Sequence, residues 1–437
     1  TLGNATDSGG LTFSGAASLT ANSTLTTDSN VVLSGALSGS FSLTKAGTAE
    51  LTLGGTNSFT GAVTVNAGTL TLNNGAAIPD GSALTVAASG TVKLGANETI
   101  GSLAGAGAIN LQGNVLTLGG AATTTYSGVI SGLGGSLVQN GSGTLTLSGA
   151  NTFDGGVTLA GGTVKVGNAA AFGTGTLAVN GATVSSDSTS PRTLGNTYSL
   201  GGAVTLGDVT SNGLLTLSGS GSLVANAVVT AASAVTFGGP LNLQSNILTL
   251  SGAGAVVASG VVSGAGGRVV KSGSGTVTLS GVNTFDSGVT VSAGSLNIGN
   301  DQALGTGTVS LQGGIVSSDS ATARSLANGI SLGGSVTIGD LVKTGSLAFS
   351  GAGTLTANST LTVLASPNAL VLSGALGGGF GLTKSGAGAL TLSGANTFSG
   401  GVTVTAGALY LGNSGALGAG TLVMSGGTVS SDGTSAR

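Results

Sequence analysis

Residues 141–153 read Gly-Ser-Gly-Thr-Leu-Thr-Leu-Ser-Gly-Ala-Asn-Thr-Phe, and this stretch decides the fold. Thr144, Leu145, Thr146 and Leu147 alternate strictly, so the leucines share one face and the threonines the other. A period of two belongs to a half-buried strand. So short a strand, closed by Ser-Gly, cannot bury its apolar face alone. The stretch returns as GTAELTLGGTNSF ending at Phe59, GSGTVTLSGVNTF ending at Phe285 and GAGALTLSGANTF ending at Phe398. Each copy leads into a second short run, such as GGVTLAGGTVKV after Phe153. The strands must therefore cover one another, as in a repeat protein.

Spacing gives the size of the repeating unit. The motif asparagines are Asn57, Asn151, Asn283 and Asn396. A second marker, Ser-Ser-Asp with Arg five residues after the Asp, appears as Asp187/Arg192, Asp319/Arg324 and Asp432/Arg437. From Asn to Arg the distance is 41 in all three cases (151 to 192, 283 to 324, 396 to 437). From Arg to the next Asn it is 91 (192 to 283) and then 72 (324 to 396), a difference of 19. Equivalent strand residues within a unit, Thr158 and Ala178 or Thr64 and Thr85, recur at about that interval. The difference thus equals one turn of a coil, and only a whole-turn insertion keeps the leucines inside. The expectation is an all-β parallel β-helix, one continuous β-solenoid over 1–437, with units anchored near 57, 151, 283 and 396. At about 20 to 22 residues per turn it has roughly 20 turns and, at roughly 4.8 Å between strands, a length on the order of 100 Å. Thr1-Leu-Gly-Asn4 is identical to Thr193-Leu-Gly-Asn196, directly after Arg192, so the piece is expected to be cut in phase from a longer array, without caps.

Composition narrows the function classes. Of 437 residues 86 are Gly and only four are Pro, without a Gly-X-Y period, which excludes collagen. The glycines fall between strands, where corners of a coil need them. A net charge of −3 lacks the basic footprint that nucleic acid or an anionic membrane requires. The low charge favours self-association, end to end or lateral. No Cys is present, as expected of a chain that stays unfolded during export. No His is present, which excludes an imidazole base, a Ser-His-Asp triad and His-based zinc sites. Apolar runs such as 256–262 are too short and too interrupted to span a membrane as a helix.

The recurring side chains read as structural. In each Asn-x-Phe corner (Asn57/Phe59, Asn151/Phe153, Asn283/Phe285, Asn396/Phe398) the Asn takes a tight corner, by positive φ or by laddering with amides, and the Phe turns into the core. The Asp/Arg markers read as turn-spanning ion pairs, weak where exposed. Lys93 and Glu98 stand at the matching offsets from Asn57 with signs exchanged. Lys45, Lys271 and Lys384 occupy matched places, with Gln139 in the fourth copy, and read as solvated corners. The acids are single and scattered, so no paired-carboxylate site forms. GGxGxD calcium repeats and GxxxxGK[ST] are absent. No catalytic residue, metal site or cofactor is expected, and the chain is expected not to be an enzyme. Outward Thr-x-Thr pairs such as Thr144/Thr146 read as polar strand faces.

The run Gly-x-Gly-Thr-Leu-Thr-Leu-Ser-Gly-Ala-Asn-Thr-Phe-x-Gly-Gly-Val-Thr-Val-x-x-Gly-x-Leu resembles the passenger-associated transport repeat of bacterial autotransporters. Residues 98–111 are similar to the segment that often lies between such repeats. The resemblance implies a right-handed parallel β-helix carried through the outer membrane to the cell surface, attached or secreted. It implies an adhesin stalk or structural spacer whose partner is a host or cell-surface receptor. A self-assembling extracellular filament or sheath is the alternative, and an ice- or glycan-binding solenoid comes third. No barrel pattern with aromatic girdles precedes Arg437.

Overall fold

The computed structural model describes residues 1–4, 6 and 9–433. Among these the regular elements are all strands, two to twelve residues long, and every described strand pair is parallel. Parallel neighbours need a long crossover. Here the crossover is the rest of the coil, so each strand pairs with its counterpart one turn later. The result is a β-solenoid of about 21 turns.

The chain divides into two compact units, Thr1–Gly219 and Ser220–Arg437. In the first, Leu51, Leu70, Val92, Ile109 and Ile130 stand in register one above another, each fully buried. In the second, Leu326, Phe349, Leu372 and Leu392 form a column of the same kind. Thr144–Leu147, Thr276–Leu279 and Ala389–Leu392 each alternate half-buried and buried residues, the leucines inward. Each inward side chain contributes about 1.5–3 kcal/mol by leaving water.

Turn length is less uniform than expected. It runs from 19 residues (Leu145 to Val164) to 25 (Val336 to Leu361). The long turns carry the extra loops 207–213 and 339–345, each opened by Gly-Asp. Asp208 Oδ1 accepts the N–H groups of Thr210 (2.7 Å) and Ser211 (2.9 Å), and Asp340 Oδ1 those of Val342 (2.7 Å) and Lys343 (3.0 Å). Extra residues are thereby held outside the ladder, and the register of the strands survives.

One glycine per repeat is obligatory. Gly68, Gly162, Gly294 and Gly407 lie eleven residues after the motif Asn with φ between +64° and +71°. A Cβ at Gly407 would also meet Gly388 O at 2.6 Å and Lys384 Nζ at 2.8 Å. Left-handed backbone packed this closely excludes a side chain. No helix of the described residues is long and apolar enough to cross a membrane.

Candidate functional site

The four Asn-x-Phe corners are tie points rather than a surface. Asn57 Oδ1 accepts Leu37 N–H at 2.7 Å, and its Nδ2 donates to Ala77 O at 2.8 Å. Asn151 bridges Ile130 N–H (2.8 Å) and Ala171 O (2.6 Å), and Asn283 bridges Val262 N–H (2.7 Å) and Ala303 O (2.6 Å). Asn396 does the same between Leu376 N–H (2.8 Å) and Ala416 O (2.6 Å). One buried amide thus clips the turn below to the turn above. Donor and acceptor must both be present, so neither Asp nor Leu can replace it. The expected positive φ is not what the corner uses: among the described residues only Gln112 and Gln244 have positive φ without being Gly. Nor do the amides ladder on one another, since both ends meet backbone. Phe59, Phe153, Phe285 and Phe398 are fully buried.

The lysines correct the sequence reading. Lys45, Lys271 and Lys384 are not solvated corners but are buried, at most 1% exposed. Lys45 Nζ donates to the carbonyls of Ala46 (3.0 Å), Gly47 (2.7 Å) and Ala67 (2.9 Å). Lys384 Nζ donates to Ser385 (2.8 Å), Gly386 (2.7 Å) and Ala406 (3.0 Å). Lys271 Nζ reaches Gly273 O and, at 3.0 Å, Ala293 O. Three carbonyls match the three protons of an ammonium, and one of them belongs to the next turn. Burial lowers all three ammonium groups, Lys384 to about 8. Gln139 fills the fourth place with its neutral amide, donating to Gly141 O at 3.1 Å.

Charges elsewhere are fewer and simpler. Arg192 Nη2 lies 2.7 Å from Asp187 Oδ1, and its Nε donates to Val166 O at 3.1 Å, so this pair also spans a turn. Arg324 and Asp319 repeat the arrangement at 2.6 Å, with Nε on Ile298 O at 3.1 Å. Asp432 lies over Gly412 as Asp187 lies over Gly167, but Arg437 lies outside the described residues. Lys93 and Glu98 do not continue the series: alternation turns Lys93 outward between Val92 and Leu94, whereas Glu98 is buried. Glu98 Oε1 accepts Ile78 N–H at 2.9 Å, the service that Asn57 Oδ1 performs for Leu37. Burial pushes the Glu98 carboxyl up to about 7, against the backbone N–H groups of Ile78 and Ala77, which hold it down. No group of three or more His, Cys, Asp or Glu placed to hold a metal ion occurs among the described residues.

These corners coincide with a known repeat family. A profile of the passenger-associated transport repeat matches residues 43–72, 137–166, 269–298 and 382–411. Four segments of the chain, 30 residues each, match this repeat. No curated protein and no solved structure matches the chain. Every passenger-associated transport repeat here starts two residues before the buried Lys or Gln and includes the Asn-x-Phe corner and the left-handed Gly. Four such repeats on a parallel β-solenoid fit an autotransporter passenger.

Proposed function

We propose that the chain is a non-catalytic structural module of a bacterial passenger, displayed at the cell surface or secreted, and serves as an adhesin stalk or spacer. One observation carries this reading. In each repeat the motif Asn is buried and bonded to backbone of the turns on both sides, and in three of the four a buried Lys bonds backbone of the next turn, as Asn283 and Lys271 do. Side chains placed this way resist local opening, because a turn cannot leave without breaking bonds on two sides. A surface spacer needs that property, and an enzyme needs the opposite: polar groups aimed at a ligand. Sedimentation and negative-stain imaging of the chain at rising concentration test the reading. Discrete monomers at every concentration are expected.

A second reading, assembly into an extracellular filament or sheath, is favoured by the loop tips. Val209 is 77% exposed, and Leu341 and Val342 are 80% and 84% exposed, on loops that their aspartates keep ordered. Continuous fibres in the same images, lost when Leu341 and Val342 are changed to Ser, would establish that alternative.

A further inference from the structure

A groove of about 210 Å³ opens at one corner of the second unit, lined by Thr284, Asp301, Gln302, Thr306 and Asn328 among others. Asn328 is the informative group. It is 4% exposed, and its Nδ2 donates to both Gly305 O (3.0 Å) and Gly307 O (2.8 Å). Two carbonyl partners fix which branch is nitrogen. Asn328 lines the groove, and its other branch, Oδ1, accepts from no group among the described residues. Asp301, which also lines the groove, is oriented by Ser325, whose N–H donates to Oδ1 at 3.0 Å, so Oδ2 remains able to accept. Gln302 supplies an exposed amide, and Thr284 and Thr306 supply exposed hydroxyls.

The site therefore offers two fixed acceptors beside groups that donate or do both. A metal ion would find a single carboxylate there, and an ammonium would leave the amide donors unused. Apolar ligands of drug size need clefts of roughly 300–1,000 Å³ with greasy walls. Adjacent hydroxyls on a sugar ring donate and accept at neighbouring atoms, and they satisfy the whole set. We propose that this groove binds one pyranose unit of an uncharged glycan. A vicinal diol donates to Asp301 Oδ2 and Asn328 Oδ1 and accepts from Gln302 Nε2. The assignment is independent of the spacer reading, since a module of either kind can carry it.

The first unit contains its own control. A matching groove of about 380 Å³ lies 132 positions earlier, lined by Ala169, Ala170, Thr174 and Asn196. Asn196 repeats the geometry of Asn328, with Nδ2 on Gly173 O (3.1 Å) and Gly175 O (2.7 Å). Where the second unit has Asp301 and Gln302, however, it has Ala169 and Ala170. That groove lacks the carboxylate and the amide donor.

Saturation-transfer NMR on the 437-residue chain, with methyl glycosides of glucose, galactose, mannose and N-acetylglucosamine as probes, tests the proposal. At least one glycoside should give transfer. The double change Asp301→Ala/Gln302→Ala copies a pair the fold already holds at 169–170, and should weaken binding about tenfold or more. Asp301→Asn, which keeps the Ser325 contact, should weaken it too. The proposal is overturned if no glycoside in the panel gives transfer, or if transfer is undiminished in a variant with unchanged circular dichroism.

Discussion

Replacing Lys384 by Met tests whether a buried ammonium ties two turns together. The side chain is fully buried, and its Nζ holds three carbonyls at 2.7–3.0 Å, of which Ala406 O lies in the following turn. Met keeps the volume of the stem and takes away the donor. Hydrogen bonds to a charged group are worth about 1.5–3 kcal/mol each, but loss of the ammonium also removes a desolvation cost of several kcal/mol. The balance is a net loss of about 2–4 kcal/mol. Lys384→Gln copies Gln139, whose neutral amide keeps one bond, to the carbonyl two residues on, and should lose less than the Met variant. Hydrogen exchange read on peptides within 382–411 reports the local opening free energy. Protection in the Met variant equal to the parent's, or lower protection in the Gln variant than in the Met variant, would refute the reasoning. The pH dependence gives a second readout. Burial lowers the folded pKa from 10.5 to about 8, so between those values the unfolded chain binds a proton that the folded chain does not. Stability should rise with pH across that window, by at most about 3 kcal/mol. Denaturation midpoints of the Met variant should lack this rise.

Glu98 has the opposite sign. Its carboxyl is raised from 4.5 to about 7, so its contribution is present below pH 4.5 and disappears as pH rises through 7, at most about 3 kcal/mol. Glu98→Gln should flatten the urea midpoint across pH 4–8 and raise it at pH 8; an unchanged profile would count against the assignment. Asn283→Asp keeps the acceptor for Val262 N–H and loses the donor for Ala303 O. At pH 7 it should cost about 2–4 kcal/mol, and part of that should return near pH 4, where a protonated carboxyl donates again. Urea midpoints at the two pH values decide it. Gly407→Ala places a methyl group on left-handed backbone against Gly388 O and Lys384 Nζ, and should cost about 3 kcal/mol or more by thermal denaturation.

Much of the fold was legible because its rule is local. Leu145 and Leu147 alternate with threonine, and the 19-residue difference between long and short units marks a whole turn. A repeating strand pattern leaves few ways to bury its leucines. The tie points were harder. Lys45 stands two residues after Leu43, Lys271 two after Val269 and Lys384 two after Leu382, all on the face that alternation turns inward. That parity was the available signal, and charge argued against it, because a buried lysine is unfavourable unless carbonyls receive it. Those carbonyls belong partly to a turn 22 residues away, as Ala406 does for Lys384.

The Asn-x-Phe motif likewise marked a corner. Which groups its amide clips depends on strands 20 or 21 residues to either side. The same division holds for the groove at Asn328, whose Oδ1 is left over only because Gly305 and Gly307 take its Nδ2. Amino-acid order alone determined the period, the inward face and the places of the corners, since those follow from alternation and glycine. Tertiary structure decided the partner of each buried polar atom, because hydrogen bonds are set by distances of a few tenths of an ångström between turns that the linear chain does not place side by side.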